Sequence, residues 1–156
     1  MTGAFGSAGT PAAPVTVEEV REVDPDLVRR LAELVPQLSS SAPPVTEEDL
    51  ADICASPATV LLIALLATGE VVGSLTLVVF KAPTGPRAWI EDVIVDETKR
   101  GAGIGSALVN EALRRARAEG ARTVDLTSRP TRLEANRLYL RLGFTRRETN
   151  VYRFDL

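Results

Sequence analysis

Four stretches of the chain repeat their apolar positions every three or four residues, which is the spacing of an amphipathic helix. The first follows Asp24-Pro25, an N-cap residue with proline at the first helical position. The second follows Thr46, where Thr-x-x-Asp approximates a capping box. In the third, apolar residues recur every four positions over 104–116, and Gly120 stands where a glycine commonly ends a helix. The fourth covers 133–142, so four helices are predicted.

Strands are predicted where apolar residues alternate with polar ones or form short runs bounded by turn residues. The turn at Thr68-Gly69 joins two of them into a hairpin, and the final segment TRRETNVYRFDL places Tyr152, Phe154 and Leu156 on one face. The predicted strands are 15–20, 59–66, 70–80, 87–95, 124–127 and that final segment. The order β-α-α-β-β-β-α-β-α-β predicts a mixed α/β sheet covered by helices.

The first 14 residues, MTGAFGSAGTPAAP, are small, rich in glycine and proline and almost uncharged, which predicts a disordered tail. They lack the basic start and apolar core of a secretory signal. Residues 15–156 are predicted to form one domain, since 156 residues leave no room for a second of ordinary size. The most apolar run, Val60–Ala67, is far shorter than the roughly 20 residues that span a bilayer. A soluble, cytoplasmic protein without a membrane role is therefore expected.

The composition narrows the possible chemistry, because the chain contains no histidine. That absence excludes imidazole bases, Ser-His-Asp and Cys-His nucleophile pairs, and histidine metal sites. The single cysteine, Cys54, excludes an internal disulfide and any multi-cysteine zinc site, and is expected to be a small buried apolar side chain. No metal site is expected. Proton transfer must then use carboxylates, tyrosine, lysine, backbone groups or water.

Charge is distributed unevenly along the chain, although the net charge is only −3. Residues 1–96 hold 5 basic and 14 acidic side chains, whereas residues 97–156 hold 13 basic and 7 acidic ones. Such asymmetry suggests that the two halves face different ligands. The basic half shows neither an RNP-type aromatic pattern nor zinc-finger spacing, so no nucleic-acid partner is expected. An anionic small ligand would need only one or two of its arginines.

The segment RGAGIGS, from Arg100 to Ser106, links the strand that ends near Asp96 to the helix over 104–116. Its three glycines let the backbone approach a ligand closely. The following helix start offers unpaired N–H groups and the positive end of the helix dipole. Because Arg100 adds a charge-assisted donor, the segment predicts an anion site suited to a pyrophosphate.

Other glycine-rich loops match this segment less well. A Walker A loop requires Gly-Lys-Ser/Thr, and the only lysines, Lys81 and Lys99, do not follow a glycine in that way. A dinucleotide fingerprint requires G-x-G-x-x-G, whereas the spacing here is G-x-G-x-G, although Asp125 lies 20 residues past Gly105, where a ribose-binding acid would be expected. Glycines with a purely structural role and no ligand are the remaining alternative.

Two signatures resemble those of the GNAT superfamily of N-acetyltransferases. Arg100-x-x-Gly103-x-Gly105, after the strand VIV, resembles the loop that binds the pyrophosphate of acetyl-CoA, and ANRLYLRLGF, beginning at Ala135, resembles the second signature. The resemblance covers about residues 15–156. It implies the GNAT fold, a mixed and mostly antiparallel twisted sheet of 6–7 strands flanked by about four helices and splayed between the fourth and fifth strands.

The resemblance also implies the co-substrate and the residues that bind it. Acetyl-CoA would lie against the splayed strand and the loop, with its pantetheine amides on the backbone of Val93 and Val95. The residues implied to bind it are Val93, Ile94, Val95, Arg100, Gly101, Ala102, Gly103, Ile104, Gly105, Ser106 and Asn136.

Direct transfer from acetyl-CoA to a primary amine in a ternary complex would need a base and an acid. Glu91 and Asp92 are the only carboxylates within the strand that precedes the loop. Glu91 matches the position of the base in many family members, and Asp92 is the second choice. Strand alternation predicts that Glu91 shares a face with Trp89, Val93 and Val95. Tyr139 resembles the general acid that protonates the CoA thiolate, with a buried core tyrosine as the alternative.

The acceptor is less constrained than the co-substrate. The acidic N-terminal half favours a cationic small-molecule amine. IEDVIV and QLSSS resemble the glucosamine-phosphate branch, in which Arg29 and Arg30 are candidate phosphate ligands, but LYLRLGF departs from that branch's FYxxxGF. Amino sugar phosphates, aminoglycosides, polyamines and peptide N-termini all stay open, as does a non-catalytic module that only responds to acetyl-CoA. A homodimer through the C-terminal strands is compatible with the exposed edge that they would form.

Overall fold

The computed structural model describes residues 14–156, so the predicted tail, apart from Pro14, lies outside the described residues. The chain divides into two compact units, one ending at Leu126 and the other covering Thr127–Leu156. The first unit holds the sheet and three helices. The second holds one helix and the C-terminal segment. None of the helices within residues 14–156 has both the length and the apolar character needed to span a membrane.

The first unit is built around one five-stranded sheet in the order β1-β2-β3-β4-β5. The first four strands are antiparallel neighbours, and β5 pairs parallel to β4 through only two residues. Its elements are β1 (Val15–Glu19), α1 (Pro25–Leu38), α2 (Glu47–Ala55), β2 (Thr59–Leu66), β3 (Val71–Ala82), β4 (Gly85–Val95), a 3-10 turn (Glu97–Lys99), α3 (Ile104–Ala118) and β5 (Val124–Asp125). The mixed α/β architecture is confirmed.

The predicted starts of α1 and α2 are confirmed by their caps. Asp24 accepts a hydrogen bond from the Leu27 N–H at 2.7 Å, and Thr46 accepts one from the Asp49 N–H at 3.1 Å. Each cap satisfies a backbone donor that the helix itself leaves unpaired. The sequence signals at both positions therefore locate the helix ends correctly.

Helices cover both faces of the sheet. On the α1 face, Leu27, Leu31 and Leu34 of α1 form a buried cluster with Leu50, Leu61 and Ile94. On the α3 face, a Cβ built on Gly73 would lie 3.2 Å from both Ile104 and Leu108, the start of the buried α3 stripe. Because neighbouring residues of a strand point to opposite faces, one set of strand side chains packs against α1 and the other against α3. The sheet is therefore the middle of three layers.

The second unit contains α4 (Leu133–Arg141) followed by residues without regular secondary structure. The predicted C-terminal strand is wrong for the described residues, because 144–156 forms no strand and Tyr152, Phe154 and Leu156 are exposed. The sheet accordingly has five strands in residues 14–156, not the 6–7 that the resemblance implied. Alternation shows which side chains would share a face, but a strand also needs a neighbour to complete its ladder.

Candidate active site

Strand β4 contains a β-bulge at the predicted carboxylates. Thr76 of β3 pairs with Glu91 and Ser74 pairs with Ile94, so two residues of β4 lie opposite the single residue Leu75. Asp92, one of those two, is the one residue other than glycine in the described chain with a positive φ, at 50°. Aspartate tolerates this left-handed conformation better than most residues do.

The bulge changes which side chains share a face. Glu91 lies on the same face as Trp89, as predicted, and the Trp89 indole Nε1–H donates to Glu91 Oε1 at 2.6 Å. Glu91 also shares the α1 face with Ile94, because their partners Thr76 and Ser74 are two residues apart. The predicted common face of Glu91 and Val95 is wrong: Val95 lies opposite Gly73, on the α3 face. One extra residue reverses the alternation beyond Asp92.

The β4 backbone beyond Trp89 has no partner in β5, whose pairing with β4 is limited to Ala88 and Trp89. The Asp96 N–H donates to the Val72 carbonyl of β3 at 2.9 Å. Because antiparallel residues alternate in the direction of their hydrogen bonds, Val95 directs its N–H and C=O away from β3. The strands are thus splayed between β4 and β5, and within residues 14–126 no strand pairs with Val95 on the side that faces the gap.

The glycine-rich loop leads from this strand into a helix start that no side chain caps. Gly101 and Gly103 have φ values of 81° and 79°, and no described atom lies within 4 Å of a Cβ built on either one. Glycine is therefore required by the backbone conformation and not by lack of space. Gly103 is the N-cap of α3, and the first turn carries no acidic side chain, in contrast to α1 and α2. The amide donors of this turn are suited to an anion.

The residues in and near the loop differ in whether a ligand can reach their side chains or only their backbone. Ile94 and Ile104 are buried in the core, so only their backbone is available to a ligand. Arg100 is exposed, whereas Ala102, Gly105 and Ser106 are partly exposed. Arg100 is thus the charged side chain of the loop that is free to meet a phosphate.

In the second unit, α4 places Asn136 and Tyr139 one turn apart. Tyr139 is partly buried against Phe144 in an edge-to-face contact with ring centroids 5.8 Å apart. Burial raises the pKa of Tyr139, while the positive charge of Arg132 lowers it by a smaller amount. The phenol is therefore protonated at neutral pH. The Asn136 amide donates to the Arg129 carbonyl at 3.0 Å, which fastens the turn that precedes α4.

Comparison with known proteins identifies the family. The model of the acetyltransferase (GNAT) family matches residues 28–144, which is about three quarters of the chain. The chain belongs to this family. The family uses acetyl-CoA, and the GNAT resemblance found in the sequence is confirmed.

Individual GNAT relatives agree with this assignment. Glucosamine 6-phosphate N-acetyltransferase from Trypanosoma brucei brucei is 40% identical over 92 residues, which are 57% of this chain and 60% of that protein. A crystal structure of a Trypanosoma brucei acetyltransferase has a TM-score of 0.73 at 28% identity, covering 92% of this chain and 100% of that one. An aminoglycoside acetyltransferase from an uncultured soil metagenomic sample, solved with trehalose, has a TM-score of 0.77 at 23% identity, covering 91% and 95%.

This GNAT chain contains two side-chain interactions near the site that sequence reasoning missed. One is the hydrogen bond from Trp89 to Glu91, which strand alternation made possible but could not establish. The other is the ion pair between Arg30 and Asp96, 66 residues apart. Arg30 was a candidate phosphate ligand, but its guanidinium is already occupied by protein groups, and Arg29 pairs with Asp26 at 2.8 Å. No local signal in the sequence reports such a long-range pair.

Cys54 of the GNAT domain is partly buried and free. Burial raises the pKa of the Cys54 thiol, and the negative charge of Glu19 raises it further. A thiol is a poor nucleophile until it is deprotonated. These surroundings favour the protonated, less nucleophilic form of the Cys54 thiol.

Proposed function

We propose that the protein is an N-acetyltransferase that moves the acetyl group of acetyl-CoA directly to a primary amine of a small molecule. The observation that carries the proposal is the arrangement of β4. Glu91 lies on the α1 face just before the bulge, the bulge turns the Val95 backbone to the splayed edge, and the strand then runs into the uncapped start of α3. A base, a strand-like binding edge and an anion site follow each other within 16 residues, from Glu91 to Ser106.

In this proposal acetyl-CoA binds along β4 and the loop. The backbone of Val93 and Val95 pairs with the pantetheine amides, as an added strand would. Arg100 and the amides from Gly101 to Ser106 hold the pyrophosphate, because a helix start without a capping side chain provides donors and a positive dipole end. Asn136 is proposed to bind the co-substrate through its side-chain oxygen, while its amide nitrogen donates to the Arg129 carbonyl.

Glu91 is proposed as the base. A primary amine has a pKa near 10.4, so its free form at pH 7 costs about 4.6 kcal/mol. Glu91 takes the amine proton, directly or through a water, and Asp92 on the bulge is the second choice. The amine nitrogen forms a bond to the thioester carbonyl carbon, and the nitrogen of the resulting tetrahedral intermediate loses its second proton to water. Collapse of that intermediate breaks the C–S bond. Tyr139 then donates its phenolic proton to the departing thiolate.

Two classes of acceptor have the best support. The trypanosomal relative's name points to an amino sugar phosphate, and the soil relative's name points to an aminoglycoside. The excess of acidic side chains in residues 1–96 favours a polycationic amine. Because Arg30 is already paired, a sugar phosphate would have to find a different cation. Aminoglycosides are therefore the first acceptors to test, before amino sugar phosphates, polyamines and peptides.

The decisive experiment is a thiol-release screen with acetyl-CoA over an amine library, followed by Glu91→Gln. The variant is expected to lose turnover by about 100-fold or more, since general base catalysis contributes roughly 10²–10⁴-fold. Glu18→Gln, at an exposed position of strand β1, is the matched control and should keep full activity. Full activity of Glu91→Gln would refute the base assignment. CoA binding without turnover of any amine would favour the alternative, a module that only responds to acetyl-CoA.

A further inference from the structure

Arg30 connects helix α1 to the end of β4, where the turn leading to the glycine-rich loop begins. Its Nε donates to the Val71 carbonyl at 2.7 Å, one terminal nitrogen donates to Glu33 at 2.8 Å, and the other is paired with Asp96. The side chains of Arg30 and Asp96 are only 20% and 8% exposed. The guanidinium therefore has little freedom, and its geometry fixes the position of the Asp96 carboxylate.

Asp96 in turn organises the beginning of the loop. It is the N-cap of the 3-10 turn Glu97–Lys99, and its second oxygen accepts from the Thr98 N–H at 2.9 Å and the Thr98 hydroxyl at 2.8 Å. The Asp96 carboxylate thus links Arg30 of α1 to Thr98 of the 3-10 turn. Only three residues separate this carboxylate from Arg100, and the N-cap of α3 follows at Gly103.

Helix α1 reaches the same turn a second time. The side-chain oxygen of Gln37 accepts from the Glu97 N–H at 2.9 Å. Gln37 lies seven residues after Arg30, which is two helical turns, so both side chains leave the same side of α1. The turn is therefore held at two neighbouring backbone positions by a single helix.

We propose that Arg30 is a positioning residue for acetyl-CoA binding: through Asp96, and together with Gln37, it holds the turn so that the α3 amides stay aimed at the pyrophosphate. The proposal relies on the proposed function for what the loop binds. Its physical reason is preorganisation, since donors bind an anion well only when they are already in place. Removing Arg30 leaves the buried Asp96 carboxylate without its ion partner and with only the Thr98 hydrogen bonds, which favours its movement toward water together with the turn.

A purely structural role would produce a different pattern, and the chain provides a matched comparison. Arg115 of α3 pairs with Glu19 of β1, and the two side chains are 24% and 26% exposed. That pair is also partly buried and also joins distant elements, but it lies at the other end of α3 from the loop. Arg115→Met should lower stability as Arg30→Met does, without disturbing the loop. Arg29→Met, on the exposed side of α1, controls for a change in helix charge.

The test uses hydrogen exchange of the ligand-free protein and calorimetry with CoA. In Arg30→Met, amides of residues 97–106 should exchange faster, CoA should bind about tenfold more weakly, and KM for acetyl-CoA should rise more than kcat falls. Arg115→Met and Arg29→Met should change CoA binding less than threefold. Asp96→Asn should reproduce the loss, and the double variant should lose little more than either single one. If Arg30→Met does not fold, Gln37→Ala, which keeps the ion pair, should show the same loop effects in weaker form.

The outcomes separate this inference from the proposed function. If the wild-type protein does not bind CoA, the proposed function fails, and the exchange comparison still decides whether Arg30 positions the loop. If Arg30→Met exchanges over residues 97–106 as the wild-type does, or if Arg115→Met weakens CoA binding equally, the positioning role is refuted. Additive losses for Arg30→Met and Asp96→Asn would refute their action through one contact.

Discussion

Gly73 of β3 is the position where a single methyl group should disturb the site most directly. A Cβ built there would lie 2.7 Å from the Ile94 carbonyl oxygen and 3.2 Å from side-chain atoms of both Ile104 and Leu108. The first distance is shorter than Cβ atoms show in real proteins, and a backbone oxygen cannot rotate away. Gly73 does not have a positive φ, so alanine is acceptable to its backbone conformation. The cost of Gly73→Ala is therefore the clash itself.

The magnitude follows from overpacking, which typically costs 1–3 kcal/mol when a buried methyl group is added. Alanine restricts the unfolded chain more than glycine does, which offsets roughly 0.5–1 kcal/mol of this cost. The free energy of unfolding should therefore fall by up to about 2 kcal/mol. For a chain of this size that corresponds to a fall in Tm of about 4–8 °C. Urea unfolding followed by fluorescence measures it cleanly, because Trp89 is the single tryptophan. CoA affinity should also fall, since relief of the clash moves β4 or the start of α3.

Gly120→Ala is the matched control for this prediction. Gly120 has a φ of 75° just after α3, and a Cβ there would have no described atom within 4 Å. Its alanine variant carries only conformational strain, roughly 1–2 kcal/mol, at the opposite end of α3 from the loop. Similar losses of stability with CoA binding weakened only in Gly73→Ala would support the reasoning. A Gly73→Ala protein as stable as wild type would refute it.

Three further predictions concern Asp96, Tyr139 and Trp89. The hydrogen bond from Arg30, with smaller contributions from the two Thr98 hydrogen bonds, lowers the pKa of Asp96 from 3.8 to about 2. The ionised carboxylate therefore stabilises the fold by about 2 kcal/mol above about pH 4, and this contribution is lost as the pH falls toward 2. The free energy of unfolding of Asp96→Asn, measured in urea, should depend less on pH over that range, and an unchanged pH dependence would contradict the assignment. Tyr139→Phe removes the phenolic proton but keeps the ring contact with Phe144. Turnover should therefore fall while the affinity for CoA stays the same, and unchanged turnover would make Tyr139 a packing residue. Trp89→Phe removes the hydrogen bond that orients Glu91, so kcat should fall several-fold with KM for acetyl-CoA unchanged, and a change confined to KM would argue against it.

Local features of this fold were predictable from the sequence because each depends on a few neighbouring residues. Asp24 and Thr46 cap helices with their own side chains, and Gly69 and Gly120 adopt the positive φ that their turns require. The glycine-rich loop was recognised for the same reason, since its backbone conformation is encoded where it occurs. The GNAT assignment rested on such local signals.

The features that were missed depend on partners far along the chain. The Asp92 bulge exists only through the register between β3 and β4, and alternation within β4 cannot report it. The pairing of Asp96 with Arg30 spans 66 residues. The C-terminal alternation around Phe154 has no neighbouring strand in the described residues. Register, long-range pairing and the presence of a neighbour are properties of the assembled sheet, which a single sequence does not contain.

The bulge is also what makes two requirements of the proposed chemistry compatible. Glu91 pairs with Thr76 at a position where backbone groups face β3, and in a regular strand Val95, four residues later, would face β3 as well. The Val95 N–H would then be hydrogen-bonded to β3 and could not bind a ligand. The extra residue at Asp92 reverses the direction, so that Val95 faces the splayed edge while Glu91 keeps its place beside Trp89. A strand can thus offer a carboxylate on one face and free backbone groups at its edge, with Ile94 between them anchored in the core.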